Sequence, residues 1–441
     1  MKLLNSIQRL RSEFNTIGLG RIKRLATESA WIIAGQIAAV IGLLALVRVL
    51  TEHLAPEQYG QLALGLSLGV LVCQLSMSGV MPGIMRYYSI ATEQGGLRGY
   101  TNASVRLMIY GTLATIVLGF LLMLGIFVTE QYEWLGMIVM AILLTQIGSY
   151  ANTLSSILNA ARHRSTVALH SAADPWLRNG LAVTTMSWLG ESPEAVMLGY
   201  MLAALLLLAS QIFFVLRMTS RSLAQPDQVQ ANWTQRLWNY SKPFVTINAF
   251  TWAQANSDRW ALQAASGTQF VGQYSVLMQL GYAPISMAIG LLTNFIAPIL
   301  HQRSGDAMDQ LRNKNVHDIT WILTSACLLL TLFVFVAALG MHGWLFSILV
   351  APDYRANSYL LPWIILAGGL FSAGQILALK LMSELNTKAL ILPKLVTSFI
   401  GMGLCFAGAF YLGLEGVVAA SVLFSATALA WLAILAARRT K

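Results

Sequence analysis

Runs of about 20 apolar residues recur along the whole chain, and they limit its fold more than any other feature. The first run reads SAWIIAGQIAAVIGLLALVRVL, and eleven more runs follow it. A run of about 20 residues matches the thickness of the hydrocarbon core of a bilayer. In that layer each run has to be helical, because a helix satisfies its backbone N–H and C=O groups within its own segment. The sequence therefore predicts an all-α integral membrane protein.

The composition agrees with this class. Charged residues make up 10% of the 441 residues, whereas a soluble domain carries about 25%. So little sequence lies outside the apolar runs that no separate soluble domain is expected. The three cysteines, Cys73, Cys327 and Cys405, stand singly in apolar runs without the spacing of metal ligands. We therefore predict neither a bound metal nor a cofactor.

Twelve spans are predicted, six on each side of the longest polar connection. They cover residues 29–51, 60–88, 103–128, 134–160, 168–190, 195–217, 242–264, 272–299, 317–341, 358–383, 388–411 and 416–437. We expect two six-helix lobes, at residues 29–217 and 242–441, joined by a linker at residues 218–241. A basic leader at residues 1–28 precedes them. Its helically spaced apolar residues fit either a helix lying on an anionic membrane surface or a frayed tail.

The basic residues predict the orientation of the spans. Of the 28 Lys and Arg residues, 24 fall in or beside the leader, the even-numbered connections and the C-terminal tail, all on one side of the membrane. Basic residues collect on the cytoplasmic side, so both termini are predicted to be cytoplasmic in a multi-pass membrane protein. The net charge of +10 is thus explained by topology, and no nucleic acid is expected as a partner.

Five charged residues fall within the predicted spans. They are Arg48, Asp174, Arg178, Asp258 and Arg259. An ionised group at this depth costs several kcal/mol unless a partner or a water-filled cavity stabilises it, so such groups commonly mark a transport pathway. These residues are the first candidates for a functional site. The alternatives are that Arg48 extends to the nearby outer interface and that Asp258 and Arg259 form structural ion pairs between helices.

The two halves of the chain show a weak internal repeat. RVLTEHLAPEQYGQLAL begins at Arg48, and RWALQAASGTQFVGQYSVL begins at Arg259. When a gap of one residue is allowed, Arg48 aligns with Arg259 and Gly60 aligns with Gly272. The turns WLGESPEAV and YLGLEGVVAA, before the sixth and twelfth spans, also correspond. Two halves of six spans each keep the same orientation, which predicts a parallel repeat with cargo bound between the lobes and alternating access.

Several stretches resemble the polysaccharide transporter family. They are VRVLTEHLAPEQYGQLALGLSL, MRYYSIA, SDRWALQAASGTQFVGQYSVLMQLGYAPI and LFSILVAPDYRANSYLLPWIILAGG. This family comprises the Wzx-type flippases of the multidrug/oligosaccharidyl-lipid/polysaccharide (MOP) superfamily, which serve O-antigen, lipopolysaccharide or exopolysaccharide synthesis. The resemblance implies a MATE-like fold, with twelve transmembrane helices in two six-helix lobes around a central cavity. It also implies a lipid-linked oligosaccharide of the undecaprenyl diphosphate type as cargo. The positions that match the cationic cavity of the family are Arg48, Arg259 and Arg178.

The predicted cargo explains why arginines lie in the spans. A guanidinium is always charged, and its planar N–H donors can form bidentate hydrogen bonds to a diphosphate. Asp258 would tune this site or couple transport to an ion, with an H⁺ or an Na⁺ gradient left open. Four aromatic residues near Arg259 fit either stacking on sugar faces or ordinary packing and interfacial anchoring. They are Trp252, Trp260, Tyr274 and Tyr282.

The fifth span allows more than one prediction. His170, Asp174 and Arg178 recur at intervals of four residues, so they share one helix face that could relay protons or hold cargo. Asp174 followed by Pro175 is equally typical of a helix N-terminus, which would leave His170 in a loop. A proline kink within the span would keep the polar face.

Two other functions compete with a flippase. A cation-coupled multidrug antiporter of the same fold would favour carboxylates, whereas the spans hold three arginines and two aspartates. A membrane-embedded glycan polymerase or glycosyltransferase would need acid and base groups on a sizeable outer loop, and the predicted outer loops are short. We therefore do not predict an enzyme. The sequence leaves open whether a polysaccharide polymerase and a chain-length regulator are partners besides the membrane lipids.

Overall fold

The structure is a computed structural model that describes residues 19–77, 79–161, 163–223, 232–290, 310–383 and 391–437. These residues are almost all helical, and they contain no β-strand. Residues 1–18 of the predicted leader lie outside the described residues. The first helix begins at Leu19, so the last part of the predicted leader is continuous with the first span.

The described residues contain twelve α-helices, which are numbered here in chain order. They are α1 (Leu19–His53), α2 (Pro56–Ser76), α3 (Met81–Glu93), α4 (Leu97–Val128), α5 (Trp134–Ala160), α6 (Arg164–Leu189), α7 (Pro193–Leu223), α8 (Trp233–Ala265), α9 (Thr268–Leu277), α10 (Gln310–Leu349), α11 (Leu361–Ser383) and α12 (Ile391–Ala437). A π-helical turn, Met278–Tyr282, follows α9, and the chain stays helical to residue 290. A 3₁₀-helix, Pro352–Leu360, leads into α11.

These helices correspond to the predicted spans with two adjustments. Helices α2 and α3 form one predicted span, because α2 ends at Ser76 and α3 begins at Met81. Helix α12 contains two spans because Gly413 breaks its helical geometry. Eight of the described helical segments are long and apolar enough to cross a membrane by themselves. Helices α6, α8 and α9 are not among the eight. Two of these, α6 and α8, carry all but one of the charges predicted to lie in the spans.

Small residues allow close helix packing in the N-terminal lobe. Helix α1 packs on α6, and the Trp176 indole N–H donates to the Ala38 carbonyl at 3.0 Å. A Cβ on Gly42 would lie 2.9 Å from the same indole nitrogen. Helices α6 and α7 meet at Gly199, where a Cβ would lie 2.6 Å from the backbone of Ala182. Larger side chains at these glycines would push the helices apart.

In the C-terminal lobe, α8 and α11 both pack on α12, and α10 packs on α11. The two arms of α12 reverse direction at Gly413, whose φ of +60° favours glycine. The equivalent turn of the first half, between α6 and α7, contains Gly190 with a φ of +92°. Both predicted repeat turns therefore reverse through a glycine with positive φ.

The two lobes meet where α2 crosses α9, and the contact is symmetric. A Cβ on Gly60 would overlap the carbonyl oxygen of Thr268, and a Cβ on Gly272 would overlap the carbonyl oxygen of Pro56. The two contacts exchange equivalent residues, because Pro56 precedes Gly60 by as many residues as Thr268 precedes Gly272. A pseudo-two-fold axis thus passes between the two glycines, as a parallel repeat requires.

Helix α8 also reaches across to the N-terminal lobe at its beginning. Trp233 and Leu237 are buried against α3 and α4, and the Ser241 hydroxyl accepts the Gly83 N–H at 3.1 Å. This beginning of α8 and the end of α7, which extends to Leu223, belong to the predicted linker. Residues 224–231 of that linker lie outside the described residues.

Candidate functional site

The adjacent charges Asp258 and Arg259 point to different places. Asp258 is 7% exposed; one carboxylate oxygen accepts the Tyr274 hydroxyl at 2.7 Å, and the other accepts the backbone N–H of Arg259 at 2.7 Å. Within the described residues the two side chains do not pair with each other, and Asp258 has no ion-pair partner. The helix directs the carboxylate into the C-terminal lobe and the guanidinium elsewhere.

Asp258 lines a cavity of about 530 Å³ inside the C-terminal lobe, between α8, α9, α11 and α12. Tyr274 and Cys405 lie with Asp258 at one end, and Met382 and Lys394 lie at the other end. The lining extends over about three turns of α11, which is about 16 Å. Met382 and Lys394 are exposed. The cavity therefore extends from the buried carboxylate toward the end that is predicted to be cytoplasmic.

An aromatic wall and several polar groups line this cavity. The rings of Tyr282 and Phe371 have centroids 6.1 Å apart, and those of Phe371 and Phe424 have centroids 6.0 Å apart. Tyr282 and Met278 are the ends of the π-helical turn after α9, and both line the cavity. The Gln375 amide is exposed to the cavity and has no hydrogen-bond partner among the described residues.

The predicted tryptophans lie at the lobe interface instead. The Trp252 indole N–H donates to the Ser67 carbonyl at 2.8 Å, and the Trp260 indole N–H donates to the Ser67 hydroxyl at 3.1 Å. Ser67 belongs to α2, so these bonds join α8 to the N-terminal lobe. Both indoles are partly buried. Their polar edges are thus used in holding the lobes together.

Arg259 extends from the same part of α8. Its Nη1 donates to the Asn256 side-chain oxygen at 3.0 Å and, at a marginal 3.5 Å, to the Ala255 carbonyl. Its Nε is buried and has no partner among the described residues. Arg259 is close enough to Tyr59 of α2 to interact with it electrostatically, which places the guanidinium near the lobe interface.

The polar face of the fifth span lies within the N-terminal lobe. Helix α6 begins at Arg164, so His170 is a helical residue and Pro175 lies inside the helix. Arg178 pairs with Asp174 at 2.9 Å and lies over the Tyr200 ring of α7, 5.3 Å from its centroid. Of the alternatives for this span, the structure has the one with proline inside the helix and the polar face kept.

His170 makes two hydrogen bonds and is 6% exposed. Its Nδ1 lies 2.7 Å from the Thr166 carbonyl, and its Nε2 lies 3.0 Å from the Ser210 hydroxyl. A carbonyl only accepts, so Nδ1 carries a proton, and Nε2 bonds to the Ser210 hydroxyl, which can donate or accept. Both ring nitrogens therefore have a hydrogen-bond partner.

Arg48 lies at the end of the bundle with the α1–α2 turn, which is predicted to be the outer end. Its Nη1 donates to the Val350 carbonyl in the C-terminal lobe at 3.0 Å, and its guanidinium also pairs with Glu52. Arg355 donates to the same carbonyl from within its own lobe at 3.1 Å. Arg48 thus connects the two lobes.

Two further hydrogen bonds join the lobes beside Arg48. The Tyr354 hydroxyl donates to the Leu54 carbonyl at 2.7 Å, and the Ala351 N–H donates to the Thr51 hydroxyl at 3.2 Å. The Tyr354 ring also packs edge-on against Tyr59. We call these bonds, together with the bond from Arg48 to Val350, the outer latch. These bonds hold the two lobes together at this end.

The predicted site residues therefore fall into four groups. Asp258, Tyr274 and Tyr282 share the cavity; Arg259 lies with Trp252 and Trp260 near the lobe interface; His170, Asp174 and Arg178 lie inside the N-terminal lobe; Arg48 belongs to the outer latch. No contact joins the three arginines among the described residues. The cavity residue Gln375 was not among the predicted site residues, although an amide within the apolar run LFSAGQILAL is a usable signal.

Comparisons with known proteins agree with this architecture. No family model matches the chain, and no curated protein matches it in sequence. A solved structure of the lipid II flippase MurJ in an inward closed conformation matches with a TM-score of 0.63 and 12% identity, over 93% of this chain and 87% of that chain. A multidrug resistance MATE family transporter of the MOP superfamily matches in its inward-facing conformation, with a TM-score of 0.59 and 13% identity over 92% and 98% of the two chains. The outward-facing conformation of such a transporter matches with a TM-score of 0.60 and 13% identity, over 93% of this chain and 96% of that chain.

The chain thus has the fold of MATE transporters and of MurJ. The predicted class, an all-α membrane protein with twelve transmembrane helices in two six-helix lobes, is confirmed. At this level of identity the likeness shows the fold, and the cargo has to be argued from the chain's own residues.

Proposed function

We propose that this protein is a flippase that moves a polyprenyl-diphosphate-linked oligosaccharide from the inner to the outer leaflet by alternating access. The cargo would be a repeat unit of a cell-surface polysaccharide, such as O-antigen or an exopolysaccharide, on an undecaprenyl-type lipid. The likeness to a protein named as a lipid II flippase supports a lipid-linked cargo. The transporter moves its cargo without changing it chemically.

The unpaired guanidinium of Arg259 carries this proposal. Among the described residues, Arg48 pairs with Glu52 and Arg178 with Asp174, but Arg259 has only the neutral partners described above. A cation in the membrane interior is stabilised by an anion, and no carboxylate of the described residues supplies one. A diphosphate that enters between the lobes would stabilise Arg259 through two charge-assisted hydrogen bonds to the guanidinium.

Arg48 and Arg178 are proposed to join the cargo site in other conformations. Each already holds a carboxylate four residues away, so each would exchange that carboxylate for a phosphate. For Arg48 the exchange also requires the outer latch to open. These two arginines would therefore act after Arg259 has bound the cargo.

The cell would supply the driving force through the membrane potential. An anion that leaves a negative-inside cell gains about 2.3 kcal/mol per charge per 100 mV. This direction fits a protein of the bacterial cytoplasmic membrane with both termini inside, as the basic residues predict. A polysaccharide polymerase and a chain-length regulator would be the partners that receive the cargo.

Asp258 is the best-supported of the three proposed coupling residues. Asp174 is paired with Arg178, and His170 is satisfied at both nitrogens. Asp258 is buried without a counterion and faces a cavity, so a proton or an Na⁺ would stabilise it there. We propose that cargo movement is linked to the binding of one of these ions at Asp258.

The same observation favours a second candidate function, a cation-coupled multidrug antiporter. A single carboxylate in a cavity of drug-like size suits a cationic substrate, and some matched structures are multidrug transporters. The two functions differ in the sign of their cargo. Anionic cargo needs Arg259, whereas cationic cargo needs Asp258 and is repelled by Arg259.

The test is complementation of a strain that lacks its own oligosaccharide flippase. At matched expression, Arg259→Ala should abolish surface glycan. Arg259→Lys should give part of the glycan of the parent protein, because lysine keeps the charge but cannot form bidentate hydrogen bonds. Arg106→Ala is the matched control, since Arg106 is an exposed arginine on α4. It should restore glycan fully.

The same strains separate the two candidate functions. Full surface glycan with Arg259→Ala would overturn the flippase proposal. Increased sensitivity to cationic dyes on deletion, with no loss of glycan, would support the antiporter instead.

A further inference from the structure

We propose that the cavity of the C-terminal lobe binds sugar rings of the cargo, while its diphosphate is held at Arg259. This inference rests on the proposed flippase function and extends it by assigning a second binding site. The site would take uncharged or weakly charged, hydroxyl-rich rings rather than the phosphate or the lipid.

The size of the cavity calls for more than an ion. Its volume of about 530 Å³ lies within the range of about 300 to 1,000 Å³ that is usual for organic ligands. A single ion at Asp258 would use one end of it and leave most of the length along α11 unexplained. The length of about 16 Å along α11 suits a short chain of rings.

The wall chemistry is that of a sugar site. Tyr282, Phe371 and Phe424 present successive rings, and apolar ring faces of this kind pack against the C–H faces of sugars. The π-helical turn that ends at Tyr282 is a local feature frequently found at functional sites. These rings form a surface along which a glycan would lie.

Polar groups complement this surface. Gln375 lies in the middle of a transmembrane helix, where an amide without a partner is costly unless water or a ligand satisfies it. The Asp258 carboxylate and the Ser421 hydroxyl are joined through Tyr274 at the buried end. Amide, carboxylate and hydroxyl groups are the partners that sugar hydroxyls require.

The charges of the cavity disfavour two other occupants, a diphosphate and a lipophilic cation. Asp258 at the buried end repels a diphosphate, and Lys394 at the other end repels a lipophilic cation. Ala255 connects the two proposed sites, because it lines the cavity and its carbonyl lies 3.5 Å from Nη1 of Arg259. A head group held at Arg259 therefore lies beside the cavity wall.

Cys405 provides a natural reporter, since it lines the cavity near Asp258. In full-length protein in nanodiscs, Cys73→Ser and Cys327→Ser leave Cys405 as the single thiol. A water-soluble methanethiosulfonate should then modify it. The matched control keeps Cys327 as the single thiol, because Cys327 is equally buried, at 6% exposed, and does not line the cavity.

Four additions distinguish the possible occupants. They are lipid-linked oligosaccharide extracted from the parent strain, the free oligosaccharide released from it, undecaprenyl diphosphate without sugar, and a lipophilic cationic dye. At about ten times its Kd, the lipid-linked oligosaccharide should slow modification of Cys405 about tenfold, because only the empty fraction reacts. The free oligosaccharide should also protect, at higher concentration. The other two additions should leave the rate unchanged, as should every addition for Cys327.

The outcomes separate this inference from the proposed function. Equal protection by undecaprenyl diphosphate, protection by the dye alone, or a Cys405 that no reagent reaches would each overturn the glycan site. If the protein restores surface glycan but no addition protects Cys405, the flippase proposal stands and the glycan site is wrong. If it restores no glycan, both fail.

A substitution in the cavity checks the site independently. Gln375→Leu removes hydrogen bonds to the glycan and should raise the concentration needed for protection about tenfold. Ser372→Ala is the control, because Ser372 is buried one turn earlier on α11 and does not line the cavity. Unchanged protection with Gln375→Leu would contradict the proposed role of the amide.

Discussion

Removing one hydroxyl from the outer latch should open the outer end of the protein. In Tyr354→Phe the ring and its packing on Tyr59 remain, but the 2.7 Å bond to the Leu54 carbonyl is lost. Tyr354 and Leu54 are each 2% exposed, so the carbonyl is left buried without this donor in the closed state. A buried polar group that loses its partner costs about 2 kcal/mol, whereas water satisfies it in the open state. The ratio of open to closed protein should rise about 30-fold.

Arg48→Ala should have a smaller effect on the same equilibrium. The Val350 carbonyl keeps its bond from Arg355, and the pair between Arg48 and Glu52 lies within α1 and does not change when the lobes separate. The substitution therefore removes only the partly buried bond from Arg48 to Val350, which contributes about 1 kcal/mol. We therefore expect an increase in the open fraction of about fivefold or less. Tyr354→Phe should therefore increase the open fraction more than Arg48→Ala, because the hydrogen bond that it removes is buried, although Arg48 is the charged residue.

Electron–electron distance measurements with spin labels test this prediction. Gln131→Cys and Ala356→Cys place the labels at exposed outer positions of the two lobes, in a background with the native cysteines replaced by serine. Tyr359→Phe is the matched control, because its hydroxyl bonds to Glu415 within the C-terminal lobe. It should leave the distances unchanged. If Tyr354→Phe gives the same distances as the control, the latch does not set the equilibrium.

Three further predictions concern the lobe crossing, the end of α12 and the proposed coupling residue. Gly272→Ala should also widen the outer distances, because its Cβ would overlap the Pro56 carbonyl across the lobe crossing; the same labels measure this. Lys380→Met should lower the free energy of unfolding by about 1 to 3 kcal/mol, because Lys380 is 2% exposed and donates to the Ala436 carbonyl at the end of α12. Thermal denaturation measures this, and an unchanged Tm would contradict the role of Lys380. Asp258→Asn should remove the dependence of transport on an H⁺ or Na⁺ gradient in proteoliposomes; persistence of that dependence would exclude Asp258 as the coupling residue.

The fold was largely predictable from the sequence because lipid imposes simple constraints. Apolar length indicated most of the spans, and the repeat landmarks Gly60 and Gly272 proved to be the point where the lobes cross. The equivalent turns at Gly190 and Gly413 were also predicted from their sequences. Local patterns did not determine the start of α6, because Asp174 with Pro175 suits a helix N-terminus as well as a helix interior.

The site was less predictable because its contacts are far apart in sequence. The Val350 carbonyl that Arg48 binds lies some 300 residues away, and no local pattern indicates it. The charges at Asp258 and Arg259 were recognised, yet their separation into a cavity and an interface depends on how α8 is rotated against its neighbours. The cavity itself combines four helices, so Gln375 and Cys405 became site residues only in the folded protein.

The most direct test of the central proposal is the affinity of purified protein for undecaprenyl-diphosphate-linked oligosaccharide, measured for the parent chain and for Arg259→Ala. Losing a charge-assisted contact to the diphosphate should weaken binding about 10- to 100-fold, and Arg259→Lys should fall between the two. Equal affinity for all three proteins would contradict the claim that Arg259 binds the anionic head group.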